Sequence, residues 1–245
     1  MLQRIILLLV LSFPSVLLAI PVASFDSSSS VGFSLSSTTG LDVEVGSTIF
    51  DELVDTTGTG VGSFANTGDV GPILAPTGFS WFSSASGEVS SPFGEANVNS
   101  AIDGDLVITN STTSTIFFDL TFSADLSADI FTTDVTYDSA IAYAAVFIEN
   151  LDTGDFLMDD FVELDSLFSG VGSFSETPAT FVSTSTISLD AGKSASFYVE
   201  LDVFGGADTI GRPVVNVSEP GAFGLFALGG VALLLQRRRN SQKSV

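Results

Sequence analysis

The feature that most restricts the fold of this chain is a regular alternation of apolar and polar residues along short segments. In residues 195–204, ASFYVELDVF, the apolar set is Phe197, Val199, Leu201 and Val203. A period of two places these side chains on one face of a strand and the intervening polar side chains on the other. The segment is therefore predicted to be a strand with one buried and one solvated face.

Other segments share this character. Residues 116–124 alternate in the same way, with Ile116, Phe118, Leu120 and Phe122 on one face, and residues 41–45 give a third case. Residues 140–148, AIAYAAVFI, are almost continuously apolar, which fits either a central strand or a turn of helix. The neighbouring strand patterns favour the strand.

Clusters of Gly, Ser, Thr, Asn and Asp separate these segments and predict turns. They fall at residues 27–30, 56–60, 103–105, 110–114, 152–155 and 190–193. Many short strands joined by such turns predict an all-β fold, and more specifically a β-sandwich of jelly-roll or immunoglobulin-like type. We expect this domain to occupy residues 24–213, with the 22 Phe residues mostly in its core.

The charge of the chain is strongly acidic and unevenly distributed. Between residues 24 and 217 there are 28 acidic residues and two basic ones, Lys193 and Arg212, whereas the full chain carries a formal charge of −22. Phosphate binding requires Lys and Arg, so nucleic acid is not an expected partner. An excess of carboxylates favours solubility and cation binding.

The missing residue types restrict the chemistry. The chain has neither Cys nor His, which removes the Ser-His-Asp triad, the thiol nucleophile and the usual zinc ligands. Glycoside hydrolysis needs only two carboxylates, but among so many acidic residues such a pair has no specificity. We therefore expect no enzymatic activity and no cofactor, with a glycoside hydrolase as the least favoured alternative.

Calcium is the metal that this composition favours, because Ca²⁺ prefers carboxylate and carbonyl oxygens on loops. Asp103 and Asp105 flank one glycine, and Asp152 and Asp155 bracket a Thr-Gly pair. These four residues are a candidate Ca²⁺ site, although the spacing of an EF-hand is absent. The alternative interpretation is that they are solubilising turn residues.

Carbohydrate binding without catalysis is a second hypothesis. Trp81 and Phe82 lie within GFSWFSSASG, where flanking Gly and Ser would allow an exposed loop tip. Exposed aromatic rings are suited to stacking against sugars. The alternative is that Trp81 is a buried aromatic residue of the sandwich core.

The N-terminus has the order of a secretory signal peptide. Arg4 precedes an apolar stretch that continues to Ile20, and small residues follow at Ala19 and Ala23. We expect residues 1–23 to be a signal peptide cleaved after Ala23. An uncleaved N-terminal anchor is the alternative.

The C-terminal residues 214–245 have the order of a membrane anchor. An uncharged run at residues 221–235 is followed by Arg237, Arg238 and Arg239. As a helix this run spans about 22 Å, somewhat less than the ~30 Å hydrocarbon core. The arginines favour the cytoplasmic side, which would leave the central domain outside the cell. The run includes Gly221, Leu225, Leu228, Val231 and Leu235.

With Ser218, Glu219 and Pro220 in front of the apolar run, this tail resembles the PEP-CTERM sorting signal of Gram-negative bacteria. That signal consists of a Pro-Glu-Pro motif, a short hydrophobic helix and a terminal arginine cluster. Position 218 is Ser where the family usually has Pro, and six residues follow Arg239.

The resemblance covers the tail alone and implies a particular destination. It implies recognition by an exosortase-type membrane enzyme and association with bacteria that produce exopolysaccharide. The expected path runs from an inner-membrane intermediate to the cell envelope, cell surface or extracellular matrix. The sequence thus predicts a non-enzymatic surface or matrix protein, with a module that binds exopolysaccharide or Ca²⁺ as the alternative.

Overall fold

The computed structural model describes residues 21–68, 71–73, 77–90 and 93–210. These residues form eleven strands and one short helix. The strands are β1 (Pro21–Leu35), β2 (Leu41–Gly58), β3 (Val61–Gly68), β4 (Gly71–Ile73), β5 (Thr77–Ser90), β6 (Gly94–Asn110), β7 (Ile116–Thr132), β8 (Asp138–Asn150), β9 (Asp155–Asp165), β10 (Gly172–Leu189) and β11 (Ser194–Thr209). The helix, α1, comprises Ser166–Ser169.

The strands form two antiparallel sheets. Sheet A has the order β10-β7-β1-β5-β3, and sheet B has the order β4-β2-β6-β11-β8-β9. Nearly every connection carries the chain from one sheet to the other, and β8 to β9 is the exception. The predicted all-β fold is confirmed, with two sheets packed face to face on a shared core.

The alternating segments form the strands that fill this core. Phe197, Val199, Leu201 and Val203 are fully buried in β11. In β7, Phe118, Leu120 and Phe122 are buried, as the period of two predicts. Phe122 contacts Phe197 across the sheets, with ring centroids 6.0 Å apart in an edge-to-face arrangement.

The apolar segment at residues 140–148 is a strand, β8, as the neighbouring patterns favoured. Its even-numbered residues, from Ala140 to Ile148, face the core and are buried. Its odd-numbered residues are only partly buried and face outward. A continuous apolar segment therefore contributes to two different surfaces.

Several predicted turns are confirmed. The turn at 190–193 closes with the Lys193 N–H donating to the Asp190 carbonyl at 3.0 Å, and Gly192 supplies the positive φ of 68° that this turn requires. The β8–β9 turn likewise contains Gly154 with a φ of 74°.

Two predicted turns are wrong, because both segments lie inside strands. Residues 27–30 lie within β1, and residues 103–105 lie within β6. Ser27 and Ser29 are fully buried between the sheets. The Ser29 hydroxyl donates to the Ala145 carbonyl of sheet B at 2.9 Å. A hydroxyl that reaches a carbonyl across the core is satisfied there, so a serine-rich sequence can form a buried strand.

A second set of buried polar groups joins the sheets further along the core. The Ser83 hydroxyl of sheet A donates to the Asn66 side-chain oxygen at 2.8 Å and to the Ser100 carbonyl of sheet B at 3.2 Å. The Ser100 hydroxyl donates to the same Asn66 oxygen at 2.8 Å. The sheets therefore approach each other closely along a line of small side chains.

Candidate functional site

The outer surface of sheet B carries a group of aromatic side chains that do not belong to the core. We call this group the aromatic face: Tyr143 and Phe147 of β8, Phe156 and Phe161 of β9, and Tyr198 of β11. Phe156 and Phe161 are 64% and 59% exposed, and the other three are partly buried. Large exposed aromatic residues grouped on one surface are typical of a binding site.

The strand pairing brings these residues together. In β8, Tyr143, Ala145 and Phe147 occupy successive outward positions because side chains alternate along a strand. Ala145 lies opposite Phe161 of β9 on one side and opposite Asp202 of β11 on the other. The small alanine thus lies between larger neighbours in both directions.

The rings form two clusters separated by Ala145. Tyr143 and Phe161 stack with centroids 5.9 Å apart and ring planes inclined by 28°. Phe147 contacts Phe156 at 5.3 Å and Tyr198 at 6.2 Å. A depression of about 250 Å³ lies between the clusters. It is smaller than the roughly 300–1,000 Å³ of pockets for drug-sized ligands, so it suits one small ring or part of a polymer.

Carboxylates line the same depression. Asp159, Asp160, Glu200 and Asp202 contribute to its wall beside the aromatic rings. The Tyr198 hydroxyl donates to the Glu200 Oε2 atom at 3.2 Å. Burial raises the pKa of Tyr198, and the negative charge of Glu200 raises it further, so the phenol stays neutral.

Asp202, one of the four carboxylates that line the depression, has a pKa that is shifted by its surroundings. Burial raises its pKa, and the charges of Glu200 and Asp51 add to the shift. Its Oδ1 atom is buried and has no hydrogen-bond partner among the described residues, and the same holds for Oδ1 of Asn99 on the adjoining strand β6. Buried oxygens of this kind are usually satisfied in folded proteins, so this part of the face has unused acceptor capacity.

Sheet A presents a different outer surface, made mostly of hydroxyls and carboxylates. One row crosses all five strands in register: Ser175, Asp129, Asp26, Ser86 and Ser63. A larger depression of about 580 Å³ lies here. Burial raises the pKa of Asp26, and Asp129 directly opposite raises it further. The depression on sheet A is lined by Phe25, Phe131 and Phe174 as well as by hydroxyls and like charges. We place the candidate site on sheet B because its partly exposed rings contact one another beside carboxylates.

The four candidate Ca²⁺ ligands lie in two separate places. Asp103 and Asp105 lie within β6, opposite Glu200 and Tyr198 of β11. Burial raises the pKa of Asp103, and Asp105 and Asp51 raise it further.

The other pair belongs to the β8–β9 turn. Asp152 accepts the Ser196 N–H at 2.9 Å, and the Asp155 N–H donates to the Thr153 hydroxyl. Among the residues that the structure describes, no three acidic side chains are close enough together to hold a metal ion.

Trp81 is fully buried in β5, so the core interpretation is confirmed and the loop-tip interpretation is wrong.

The expectation that Phe residues lie mostly in the core is wrong for several of them. Exposed phenylalanines include Phe50, Phe93, Phe117, Phe156, Phe161 and Phe168. The aromatic face has one signal in the sequence. Tyr143 and Phe147 both have odd numbers in the segment 140–148, and the even-numbered residues of that strand are the buried ones.

The predicted processing and sorting residues lie mostly beyond the described part of the chain. Ala23 is an exception: it lies in β1, is fully buried, and pairs with Val89 and Thr132. Cleavage after Ala23 would remove the first three residues of β1. The tail residues 214–245, with the motif at 218–220, the run at 221–235 and the arginines at 237–239, lie outside the described residues. The part of the chain that the structure describes contains no helix with the length and hydropathy of a transmembrane span.

Comparison with known proteins gives no family. No protein-family description and no curated protein matches the chain. Among solved structures, similarity is found to the secreted serine protease VesC from Vibrio cholerae, at 9% identity and a TM-score of 0.17, covering 76% of this chain and 47% of that one. A β-glucosidase from Kluyveromyces marxianus in complex with glucose is similar at 15% identity and a TM-score of 0.13, covering 38% and 11%. The chain thus spans about half of the first structure and a small part of the second.

Proposed function

We propose that this protein is an exported, non-enzymatic surface or matrix protein whose sandwich domain binds exopolysaccharide through the aromatic face. One observation carries the binding proposal. Two clusters of partly exposed rings, Tyr143 with Phe161 and Phe147 with Phe156 and Tyr198, flank a depression lined by carboxylates.

The chemistry of the aromatic face suits a sugar polymer. A pyranose ring has apolar C–H faces that stack on aromatic rings and hydroxyls that donate to carboxylates. Tyr143 and Phe147 are four residues apart on β8, which is about 13 Å along a strand. A polymer is therefore better suited than a single sugar to contact both clusters.

The charge of the domain restricts the kind of polymer. The stretch 24–217 carries 28 acidic residues against two basic ones, and Glu200, Asp202 and Asp159 lie within the binding depression. A polyanion would be repelled from such a surface. We therefore propose a neutral or amino-sugar polysaccharide.

Binding to an immobilised polysaccharide tests this proposal. Replacing Phe161 or Tyr198 by Ala should weaken binding to a neutral polymer by roughly tenfold or more, because exposed aromatic anchors carry much of the energy of such contacts. The Phe117→Ala variant is the matched control, since Phe117 is an exposed phenylalanine on sheet A, away from the aromatic face. Equal binding by all four proteins would contradict the proposal.

The proposed localisation of the protein is based on the sequence patterns at its two ends. The signal-peptide pattern at 1–23 and the tail at 214–245 support export followed by recognition by an exosortase-type enzyme. Mass spectrometry of the protein from the cell envelope tests this: we expect mature chains without residues 221–245. An intact Arg237–Arg239 cluster on all mature protein would contradict the processing step.

We also propose that the β-sandwich is of the jelly-roll type. Of the two classes expected from the sequence, the jelly-roll type has the better support, because the chain passes between the sheets at almost every connection.

A further inference from the structure

Both ends of the described chain lie at the same end of the sandwich. The Val22 carbonyl accepts the Thr133 N–H at 2.9 Å, and the Tyr137 carbonyl accepts the Ile210 N–H at 2.9 Å. Thr133 and Tyr137 belong to the same β7–β8 loop, so the start of β1 and the end of β11 lie against one loop. We call this end the terminal end and the opposite one the polar end.

A buried carboxylate fixes this arrangement. Asp138, which is fully buried at the start of β8, accepts hydrogen bonds from the Thr133 hydroxyl at 2.8 Å and from the Thr209 hydroxyl at 3.0 Å. It therefore ties the loop to the last residue of β11. The position at which the chain leaves the sandwich is held by this network.

The terminal end exposes a group of large apolar side chains. Helix α1 lies here, since the Ser166 hydroxyl accepts the Ala140 N–H at 3.0 Å and the Gly170 carbonyl accepts the Thr132 hydroxyl at 3.1 Å. Phe168 of α1 is 89% exposed, more than any other large apolar residue described. The remaining members are Val61, Phe93, Val135, Leu167, Val171 and Ile210.

The turns of the polar end have the opposite character. They comprise residues 36–40, 111–115, 151–154 and 190–193, which are mostly Ser, Thr, Asp and Gly. These four turns contain one exposed large apolar residue, Leu151. Phe117 and Phe156 are exposed one residue inside the strands that follow two of these turns. Within the described loops and α1 themselves, exposed apolar side chains are more numerous at the terminal end.

The chain beyond Ile210 indicates what covers this end. Ten residues, 211–220, separate Ile210 from the apolar run 221–235. Even fully extended, they reach only about 36 Å. A tail anchored in a bilayer therefore keeps the domain close to the lipid surface. Exposed Phe and Leu side chains are those that enter the interfacial region of a bilayer.

We infer that the terminal end is a membrane-contact surface whose apolar residues, led by Leu167 and Phe168, insert into the interface of a zwitterionic bilayer. The lipid must carry little negative charge, because Asp134, Asp165 and Asp208 lie around the same end and anionic headgroups would repel them. This inference rests on the anchoring tail of the proposed function and applies to the membrane-anchored intermediate, before residues 221–245 are removed. It adds an orientation, with the polar end facing away from the membrane.

Site-directed fluorescence on the full chain in phosphatidylcholine vesicles tests this orientation. The chain has no native Cys, so Phe168→Cys and Ala191→Cys variants can each carry one environment-sensitive label. Ala191 is an exposed residue of the polar end and serves as the control. We expect nitroxide lipids to reduce the fluorescence at position 168 by roughly twofold and to leave position 191 unchanged. A label at Val135→Cys should behave like the one at 168.

The remaining outcomes separate the inference from the proposed function. If the labelled chain floats with the vesicles but lipid nitroxides quench neither position, the tail anchors and the membrane-contact surface is wrong. If the label at 168 is shielded from water but not quenched by lipid, a second protein copy covers this end and the inference is overturned. If the chain does not float with the vesicles, the anchoring tail fails and the inference fails with it.

Discussion

At the residue scale, the core depends on the contact of Phe25 with two glycines. The ring of Phe25 in β1 lies beside Gly87 of the neighbouring strand β5 and against Gly205 of β11 in the opposite sheet. A Cβ atom added at Gly205 would lie 1.9 Å from the ring, and one at Gly87 would lie 2.5 Å from it. Glycine is therefore needed at both positions, because any side chain there would overlap the Phe25 ring.

The Gly205→Ala substitution should therefore destabilise the domain by about 1–3 kcal/mol, the usual effect of overpacking a core. Gly46→Ala is the matched control, because an added Cβ there meets its nearest atom at 3.4 Å. Urea denaturation followed by circular dichroism gives both values. Combining Gly205→Ala with Phe25→Leu should cost less than the sum of the two single effects. A Gly205→Ala variant as stable as the control would show that the ring and the glycine are not in contact.

At the element scale, β1 shows how burial changes the meaning of a serine-rich sequence. Ser27 and Ser29 face the core, whereas Ser28 faces outward and bonds to the Ser127 hydroxyl at 2.7 Å. Both buried hydroxyls reach carbonyls of sheet B, at Phe204 and Ala145. The strand is thus joined to the opposite sheet by hydrogen bonds as well as by apolar contacts.

Replacing Ser29 by Val should destabilise the domain by about 1–3 kcal/mol, since it removes a satisfied donor and adds volume where the sheets are close. Ser28→Val should change the stability by less than about 0.5 kcal/mol, because an outward position on a strand tolerates a β-branched residue. Denaturation midpoints of the two variants provide the comparison. Equal losses, or a larger loss at position 28, would contradict the orientation of β1.

The sequence predicts the strands well where apolar residues alternate with polar ones, as in β7 and β11. The prediction of strands fails at residues 27–30 and 103–105. Ser, Asp and Gly are typical of turns, and the partners in the opposite sheet or the neighbouring strand that hold them in a strand are visible only in the structure. The aromatic face was missed for a related reason. Tyr143 and Phe147 lie in an apolar segment whose outward half can be distinguished only when the register of β8 is known.

At the scale of the whole molecule, the excess of carboxylates makes the stability of the folded domain depend on pH. Burial raises the pKa of Asp26, Asp103, Asp202 and Asp208 above the ordinary value of 3.8, and neighbouring carboxylates raise it further. The folded state therefore binds more protons than the unfolded state from about pH 4 up to the raised pKa values. Its free energy of unfolding falls as pH rises through that range.

We expect the domain to be more stable at about pH 4.5 than at pH 7 at constant ionic strength, the opposite of ordinary acid denaturation. Added NaCl at pH 7 should recover part of the difference by screening the carboxylates. The measurement is the urea midpoint at both pH values, with and without salt. Higher stability at pH 7 without salt would contradict this account of the charged surface.

The central claim is that a polysaccharide binds on the aromatic face of sheet B. Hydroxyl-radical footprinting with mass spectrometry tests it most directly, because exposed aromatic side chains are oxidised unless a ligand covers them. On addition of a neutral polysaccharide, we predict loss of oxidation at Phe156, Phe161 and Tyr198, with oxidation of Phe117 on sheet A unchanged. Unchanged oxidation at all four positions, or protection at Phe117 instead, would contradict the claim.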